Sequence, residues 1–542
     1  MKFDRNVKDY RERIRRGRRH ARGRMVPREK TAALLNAVLR RGDRVCIEGD
    51  NQKQADFLAR CLLEVDTRRI RDLHMIQSTV LLPEHVELYR RGIASRLDFA
   101  YAGPQAKELY ELAAEKKVRI GAIHTYLELY GRYVVDLCPQ VSLLVADTCD
   151  EEGNIFTGFN TEDTAMIAEA THFKAGVVIV QVKRRVKRLP RVDIPADWVD
   201  FIVETGEDYH IQPLFTRDPA KITPPQILMA MMVMKGIYKE YGVRMLNHGV
   251  GYATAAIELL LPTYGKELGL KDRYCTHWVL NPHPTLIPAI EKGFVKHIFS
   301  FGGEPGMEKY VRARSDIFSI GADGHLRSNR CLAHIAGLYA IDLFIGATLQ
   351  MDRDGNSSTA IKGRITGFGG APNLGGSPPG RRNYPEAVAK AGRWQEGLFQ
   401  GRKLVVQITP TVAGKKQIPV FVEQLDALEL HRQGIFAFPP VMIAGDQVTH
   451  IVTEQGIAYL DKVPDVETRR AAIAAVAGDT PVGRTAKPDI VERLRREGIV
   501  RTPADLGLSL EQAVPDLLSA HSLQDLVRVS KGLYQIPPGC SG

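Results

Sequence analysis

The 542 residues, 44% hydrophobic and 25% charged with a formal net charge of +11, suffice for several domains with substantial cores and have the balance of a soluble globular protein. No apolar run reaches membrane-spanning length and the N-terminal stretch has no signal-peptide core, so neither a membrane span nor a signal peptide is expected, and the cytoplasm is the expected location. Seven scattered cysteines without a C-x-x-C pair exclude a disulfide framework or zinc ribbon and read as reduced thiols.

The charge is local. Residues 1–30 hold 13 Lys/Arg against 4 Asp/Glu, including Arg15-Arg-Gly-Arg-Arg19, and the rest of the chain is nearly neutral. Such an arm suits an acidic protein partner, or is a solvated helix that binds nothing specific. Nucleic acid is not expected as a partner, because no aromatic or recognition motif accompanies the arginines.

Beyond the arm, helical and strand-like stretches alternate. Thr31–Arg40 has helical apolar spacing, Arg44–Glu48 reads as a short buried strand, Asp56–Val65 as a helix and Met75–Leu82 as a strand. Leu97–Ala100, Val118–Ala122 and Leu143–Ala146 are further apolar runs, with the helix Ala106–Lys116 among them, and Phe173–Val182 ends in VVIVQV. The alternation predicts an α/β fold with a mostly parallel sheet covered by helices. Prolines and charges over Phe215–Pro225 mark a boundary.

After it, the methionine-rich helix Gln226–Tyr241, the strand Val243–Leu246 and the helix Thr254–Leu261 restart the pattern. Gly249 and Gly251 lie between that strand and helix, where backbone donors can face a ligand beyond the strand's carboxyl end. Their spacing is not G-x-G-x-x-G, so a dinucleotide is not expected. Cys275, His277 and His283 match no common zinc spacing, and no metal is expected. Strand-like runs return at Leu404–Ile408, Val420–Val422 and His450–Thr453; from Thr468 onward, short helices divided by prolines dominate. The expected organisation is a basic arm (1–30), two α/β halves (31–225 and 226–475) and a C-terminal helical region (476–542).

The halves look related. Val141–Asn154 and Leu343–Asn356 are apolar runs that each feed an Asp-x-x-Gly-Asn turn, offset by 202 residues. Val180-Gln-Val182 answers Val406-Gln-Ile408 at an offset of 226, and Arg44–Gly49 answers Arg244–Gly249 at 200. Matches kept in order imply a duplication. The second copy has gained 24 residues between its turn and its Val-Gln-Ile run. That interval holds a loop with glycine at 363, 367, 369, 370, 375, 376 and 380. Glycine at this density either supplies backbone angles with φ > 0 or lets bare amide N–H groups approach an anion or carbonyl oxygen.

The paired turns, the loop Gly367-Phe-Gly-Gly-Ala-Pro-Asn373 and the segment Val452-Thr-Glu-Gln-Gly456 together resemble the coenzyme A transferase superfamily. Within it, HWVLNPHPTLIPAIEKG (277–293), FGGEPGMEKY (301–310) and GRITGFGGAPNLGGSPPGRR (363–382) are similar to the malonate decarboxylase alpha-subunit family, over nearly the whole chain. The resemblance implies two coenzyme A transferase-like halves packed face to face with a thioester between them. The implied activity is acyl exchange on a carrier: acetyl-carrier plus malonate gives malonyl-carrier plus acetate. No cofactor bound to this chain is implied, only the coenzyme A-derived, phosphopantetheine-type group of an acyl carrier protein. Other malonate decarboxylase subunits are the further partners.

A thioester carbonyl under attack develops charge on oxygen, and fixed backbone N–H groups suit it. Gly369, Gly370 and Asn373 are the expected donors, with Glu454 a candidate for direct chemistry. Gly249, Gly251, Asn281, Gly367 and Phe368 are expected around the thioester. Superfamily members use a glutamate nucleophile, and the corresponding segment, Cys275–Pro284, has none. Direct attack by malonate, without an acyl-enzyme, is therefore expected, with Glu454 and Glu48 as the substitute carboxylates. Two other readings stay open: a hydrolase or transferase acting on free coenzyme A thioesters, and a non-catalytic carrier-docking scaffold.

Overall fold

Runs such as Val177–Val182 become central parallel strands because a strand covered by helices on both faces has no polar side. The computed structural model describes residues 2–48, 53–159, 162–212, 218–376 and 403–538. Part of the Phe215–Pro225 boundary, Gly49 of the upstream repeat and the loop beyond Gly376 lie outside the described residues.

The first sheet comprises β1 (Met25–Val26), β2 (Arg44–Ile47), β3 (Leu73–Val80), β4 (Ala94–Ala102), β5 (Arg119–Ile123), β6 (Val141–Cys149), β7 (Val177–Arg185) and β8 (Phe201–Glu204). Their order is β1-β8-β7-β6-β2-β3-β4-β5, with a short strand, Ile155–Phe156, paired on β6. The second comprises β9 (Met245–His248), β10 (His277–Val279), β11 (His297–Phe299), β12 (Leu343–Gly346), β13 (Leu404–Ile408), β14 (His450–Thr453), β15 (Gly456–Tyr459) and β16 (Val500–Arg501), ordered β11-β10-β9-β12-β13-β14-β15-β16. From β8 to β4 and from β14 to β11 the two orders coincide, and every neighbouring pair in these stretches is parallel.

The helices that matter here are α1 (Lys2–Gly17), α2 (Thr31–Val38), α3 (Asp56–Leu62), α4 (Tyr126–Val135), α5 (Thr164–Phe173), α6 (Pro224–Val233), α7 (Tyr252–Leu260), α8 (Arg330–Tyr339), α9 (Ala371–Leu374) and α10 (Val466–Val476). One face of the first sheet packs on α2 and α3, the other on α4 and α5. The second sheet repeats this with α6 and α7 against α8 and α10. The methionines of α6 and the turn after it, Met229, Met231, Met232 and Met234, are buried core.

The duplicated turns are equivalent in detail. Asp150 accepts from the backbone N–H (2.8 Å) and side-chain amide (2.9 Å) of Asn154, whose Oδ1 accepts from Ala196 N, five residues before β8. Asp352 accepts in the same way from Asn356 (2.9 and 3.0 Å), whose Oδ1 accepts from Gly445 N, five residues before β14. Gly153 and Gly355 take φ of +92° and +85°, which only glycine adopts cheaply.

The flanking repeats slip by one. Ile47 and Ile179 both lie opposite Leu143, whereas His248 and Val406 lie opposite Ile345. With Leu143 and Ile345 matched at 202, the neighbouring strands correspond at 201 and 227, not at 200 and 226. A slip of one residue moves a strand side chain to the other face. Gln181 accordingly bonds to Leu58 N and Asp56 of α3. Gln407 instead alternates with Val406 and Ile408, the two that pack on the α7 side.

Both ends of the chain join the sheets. In β1, Met25 pairs with Ile202 of β8. Arg13 of α1 is buried, with a two-pronged bond to Asp43 (2.6 and 2.9 Å) and another to Val38 O. The arm is thus part of the first layer, with Lys8, Arg11, Arg15, Arg18, Arg19 and Arg22 exposed. At the other end β16 pairs with β15, and Leu506, Leu518, Leu526 and Tyr534 enter the core around α6 and α7. Among the described residues, no helix is long and apolar enough to cross a membrane.

Candidate active site

The inserted interval of the second half reaches into the first. Ala360–Ile361 and Arg364–Ile365 form a two-stranded hairpin, and Ala360 and Ile365 are buried in the core of the first sheet. The chain then runs beside the end of β4. Ala102 N donates to Thr366 O (2.6 Å), and the amides of Phe368 and Gly369 both donate to Ala100 O (2.8 and 2.9 Å). Gly367 sits where the two backbones touch, at φ +84°; a Cβ there would lie 2.6 Å from Ala100 O. Both constraints select glycine, the contact more firmly because its partner is backbone.

From Gly370 the chain enters α9, which is fastened to α8. Asn373 donates its side-chain amide to His334 O (2.9 Å). Leu374 fills the space left by Gly337 of α8, beside Val279 of β10. The Gly370 amide makes no hydrogen bond among the described residues.

Arg330, on α8, crosses between the halves. Buried, it pairs with Glu162 and with Asp163 (3.0 Å) of the first half and lies over the Tyr126 ring at 4.4 Å. One turn on, His334 stacks on Tyr126 (centroids 5.4 Å apart) and takes the edge of Phe301 (4.6 Å). Burial, and then the charge of Arg330, push its imidazole down to about 3, so it is neutral near pH 7.

The carboxyl ends of β9, β10 and β11 converge on the same region. Gly249, just past β9, donates to Ile345 O (2.7 Å), and Thr254 of α7 bonds back to Gly249 O and Gly251 O. Asn281 lies two residues past β10, whose Val279 packs toward α8. It is 5% exposed, and its Oδ1 has no partner among the described residues; the same holds for Asn247 Oδ1, Ser300 Oγ and His334 Nδ1. Unpaired buried polar atoms are costly, and these four lie on β9, just past β10, just past β11 and on α8. Behind Asn281, a buried Glu258 on α7 ties together His248 (3.1 Å), His283 (2.8 Å) and Thr285.

A family model for the malonate decarboxylase alpha subunit, a "transporter", matches residues 2–540. The chain belongs to the malonate decarboxylase alpha-subunit family. It is 54% identical over 520 residues to the acetyl-S-ACP:malonate ACP transferase of Malonomonas rubra, covering 95% of this chain and 94% of that one. Against the alpha-subunit structures, it superposes with a TM-score of 0.94 on a chain of a Pseudomonas malonate decarboxylase hetero-tetramer in complex with malonate (52% identity, 99% of both chains). The alpha subunit from Acinetobacter baumannii gives 0.93 (48% identity, 98% of this chain and 99% of that one). An acyl-CoA transferase from Escherichia coli O157:H7 gives 0.53 at 15% identity, over 79% and 86% of the chains, and shares the fold alone.

Of the nine residues expected at the site of this alpha-subunit family member, Gly249, Gly251 and Asn281 lie at strand ends of the second sheet, and Gly367 to Gly370 lie on the loop. The roles change on inspection. The amides of Phe368 and Gly369, expected to face a ligand, are spent on Ala100 O, and the Asn373 side-chain amide on His334 O. Glu454 is held elsewhere. It sits past β14, four strands from β10, about 19 Å at the usual spacing, and accepts from the N–H and hydroxyl of Thr411. Glu48 is buried at the end of β2, accepting from Val145 N (2.9 Å) and Thr164. Cys275–Pro284 is β10 and its exits, and the carboxylate nearest in the chain fold, Glu258, is fully buried. Tyr126, Arg330 and His334 were missed by the sequence reading. The signal for Arg330 and His334 was weak: a lone arginine and histidine in the apolar stretch RCLAHIAGLY.

Proposed function

We propose that this chain is the acyl-carrier-protein transferase of a malonate decarboxylase, exchanging acetyl for malonyl on a carrier thioester. The observation that carries this reading is the 54% identity, over nearly the full length of both chains, to an acetyl-S-ACP:malonate ACP transferase. The thiol is that of a phosphopantetheine-type group on an acyl carrier protein, malonate and acetate are the acids exchanged, and the enzyme works in the cytoplasm. Likeness to a chain of the Pseudomonas hetero-tetramer supports assembly with further subunits.

The chemistry follows in two balanced steps. A malonate carboxylate oxygen attacks the acetyl thioester carbon, and collapse of the tetrahedral adduct expels the carrier thiolate and leaves a mixed anhydride. The thiolate then attacks the malonyl carbonyl carbon of that anhydride, expelling acetate and giving malonyl-carrier. No proton or electron has to be supplied. Each adduct carries negative charge on one oxygen, for which the Gly370 N–H is an available donor. Gly367, Phe368 and Gly369 hold the loop on β4, and the Gly249–Gly251 turn shapes the strand ends beside Asn281. Glu454 braces its hairpin.

Purified protein incubated with acetyl-carrier and labelled malonate should yield malonyl-carrier, seen as a mass shift of the carrier, together with one acetate per turnover. Equal rates with acetyl-coenzyme A would favour the free-thioester reading, and no exchange with either would leave only a docking role.

A further inference from the structure

Gly370 has an ordinary φ of −91°, so its backbone conformation does not require glycine. Its surroundings do. A Cβ at this position would lie 2.8 Å from Nε2 and 2.9 Å from Cε1 of His334. The imidazole edge therefore occupies the space that a side chain would fill, against a residue whose amide is unpaired. The ring is fixed in this pose by Tyr126 on one side and Phe301 on another, and Asn373 locks α9 to the His334 carbonyl. It is no ion-pair partner: Nδ1 is buried with no hydrogen bond, and no carboxylate approaches either nitrogen among the described residues. Of the two ring nitrogens, it is Nε2 that faces Gly370, while Nδ1 is turned into the interior.

We propose that His334 is a catalytic residue of the acyl exchange, its Nε2–H and the Gly370 N–H together donating to the oxygen that becomes negative in each tetrahedral adduct. The two donors come from α8 and α9 and are carried by one locked unit, so they are fixed before the thioester arrives. A neutral imidazole fits this task, since it donates without itself bringing a charge into a buried site. Arg330, one turn away, helps keep the ring neutral and leaves the adduct as the negative partner. The role rests on the exchange reaction proposed above, and the bonds made and broken are those already written.

The test compares His334→Phe, which keeps the ring and its stacking but removes the donor, with His334→Gln, which keeps an N–H at similar reach. His334→Phe should lower kcat about 100-fold, the usual loss for one such donor, with KM for the carrier within threefold; His334→Gln should keep at least a tenth of the wild-type kcat. Because the imidazole is neutral, wild-type kcat should show no histidine limb between about pH 5 and 8. A folded His334→Phe enzyme within threefold of wild type would overturn the proposal, as would loss of fold in both variants, which would make the ring a packing group. A second readout separates this from the function itself: hydrogen exchange of the Gly370 amide, with and without acetyl-coenzyme A as the probe. Protection in wild type that weakens in His334→Phe supports the donor pair even if wild type performs no exchange with malonate. Absence of protection in wild type overturns the pair.

Discussion

Replacing Gly367 with alanine should cost the enzyme most of its turnover, while the same change at Gly363 should cost almost none. Both glycines have positive φ, +84° and +79°, so each variant carries roughly 1 kcal/mol of left-handed backbone strain. They differ in what the new methyl meets. At 363 nothing lies within 4 Å; at 367 it would stand 2.6 Å from Ala100 O and 2.9 Å from the Cα of Tyr101. Backbone on both sides cannot give way, so the loop must lift from β4. It then loses the three bonds at Thr366, Phe368 and Gly369, each worth about 1 kcal/mol net. About 3 kcal/mol corresponds to roughly a 100-fold smaller docked fraction, and Gly370 moves with the loop. Initial rates of labelled malonate transfer to the carrier measure the effect, and hydrogen exchange at the Phe368 and Gly369 amides reports docking directly. Rates for Gly367→Ala and Gly363→Ala within threefold of each other would refute this account of the loop.

Further outcomes follow from the buried charges and from the arm. Arg330→Met removes the buried cation between Glu162 and Asp163 and should destabilise the protein by about 3–5 kcal/mol; chemical denaturation measures it, and pairing the change with Glu162→Gln should recover part of the loss. His74, Asp98 and His124 form a second buried set, with Asp98 bonded to both rings (2.6 and 2.7 Å) and His124 Nδ1 3.2 Å from Glu128. Burial opposes charge on Asp98 and His124. Their mutual hydrogen bonds, with Glu128 on the His124 side, nonetheless lower the carboxyl and raise the imidazole. The His124 contribution is complete below its unfolded value of about 6.5 and fades as pH rises through the folded one; the Asp98 contribution is complete above about 4 and fades on acidification. The unfolding temperature should therefore fall as pH rises above about 6.5, and Asp98→Asn should flatten that slope. Changing Lys8, Arg11, Arg15 and Arg18 to glutamine should raise KM for an acidic carrier several-fold and flatten its salt dependence without changing kcat; unchanged salt slopes in stopped-flow association would exclude steering. Truncation is the wrong tool here, because it also removes Arg13 from Asp43. Hydroxylamine trapping during turnover should find no acyl group on Glu48, Glu258, Glu454 or any other carboxylate.

The α/β alternation was legible because parallel strands buried on both faces are uninterrupted apolar runs, as at Val177–Val182. The paired turns were legible for a different reason: Asp, Gly and Asn each do a separate job there, so the pattern tolerates little change. Register was not. Where a strand is apolar throughout, Val45 matches Met245 as well as Leu246, and only the facing layer decides. The need for Gly367 was visible as glycine density, but its cause, Ala100, lies in the other half of the chain. The same distance hid the spending of the Phe368 and Gly369 amides, which sequence alone offered as ligand donors. Arg330 and His334 read as interruptions in an apolar stretch because their partners, Glu162, Tyr126 and Gly370, come from three separate elements.

The docking of Thr366–Gly369 on Ala100 and Ala102 also constrains how the chain acquires activity. Each sheet closes with its own Asp–Asn turn and helices, from contacts made largely within one half. The loop can settle only on a finished β4, and it closes a chain segment of more than 260 residues, reckoned from Ala100 to Phe368. Contacts so distant in sequence form late in folding. On refolding from denaturant, helical signal should return first and transfer activity afterwards, with the delay set by loop docking. A kinetically trapped population with both sheets formed and the loop undocked would be near-native by circular dichroism and inactive.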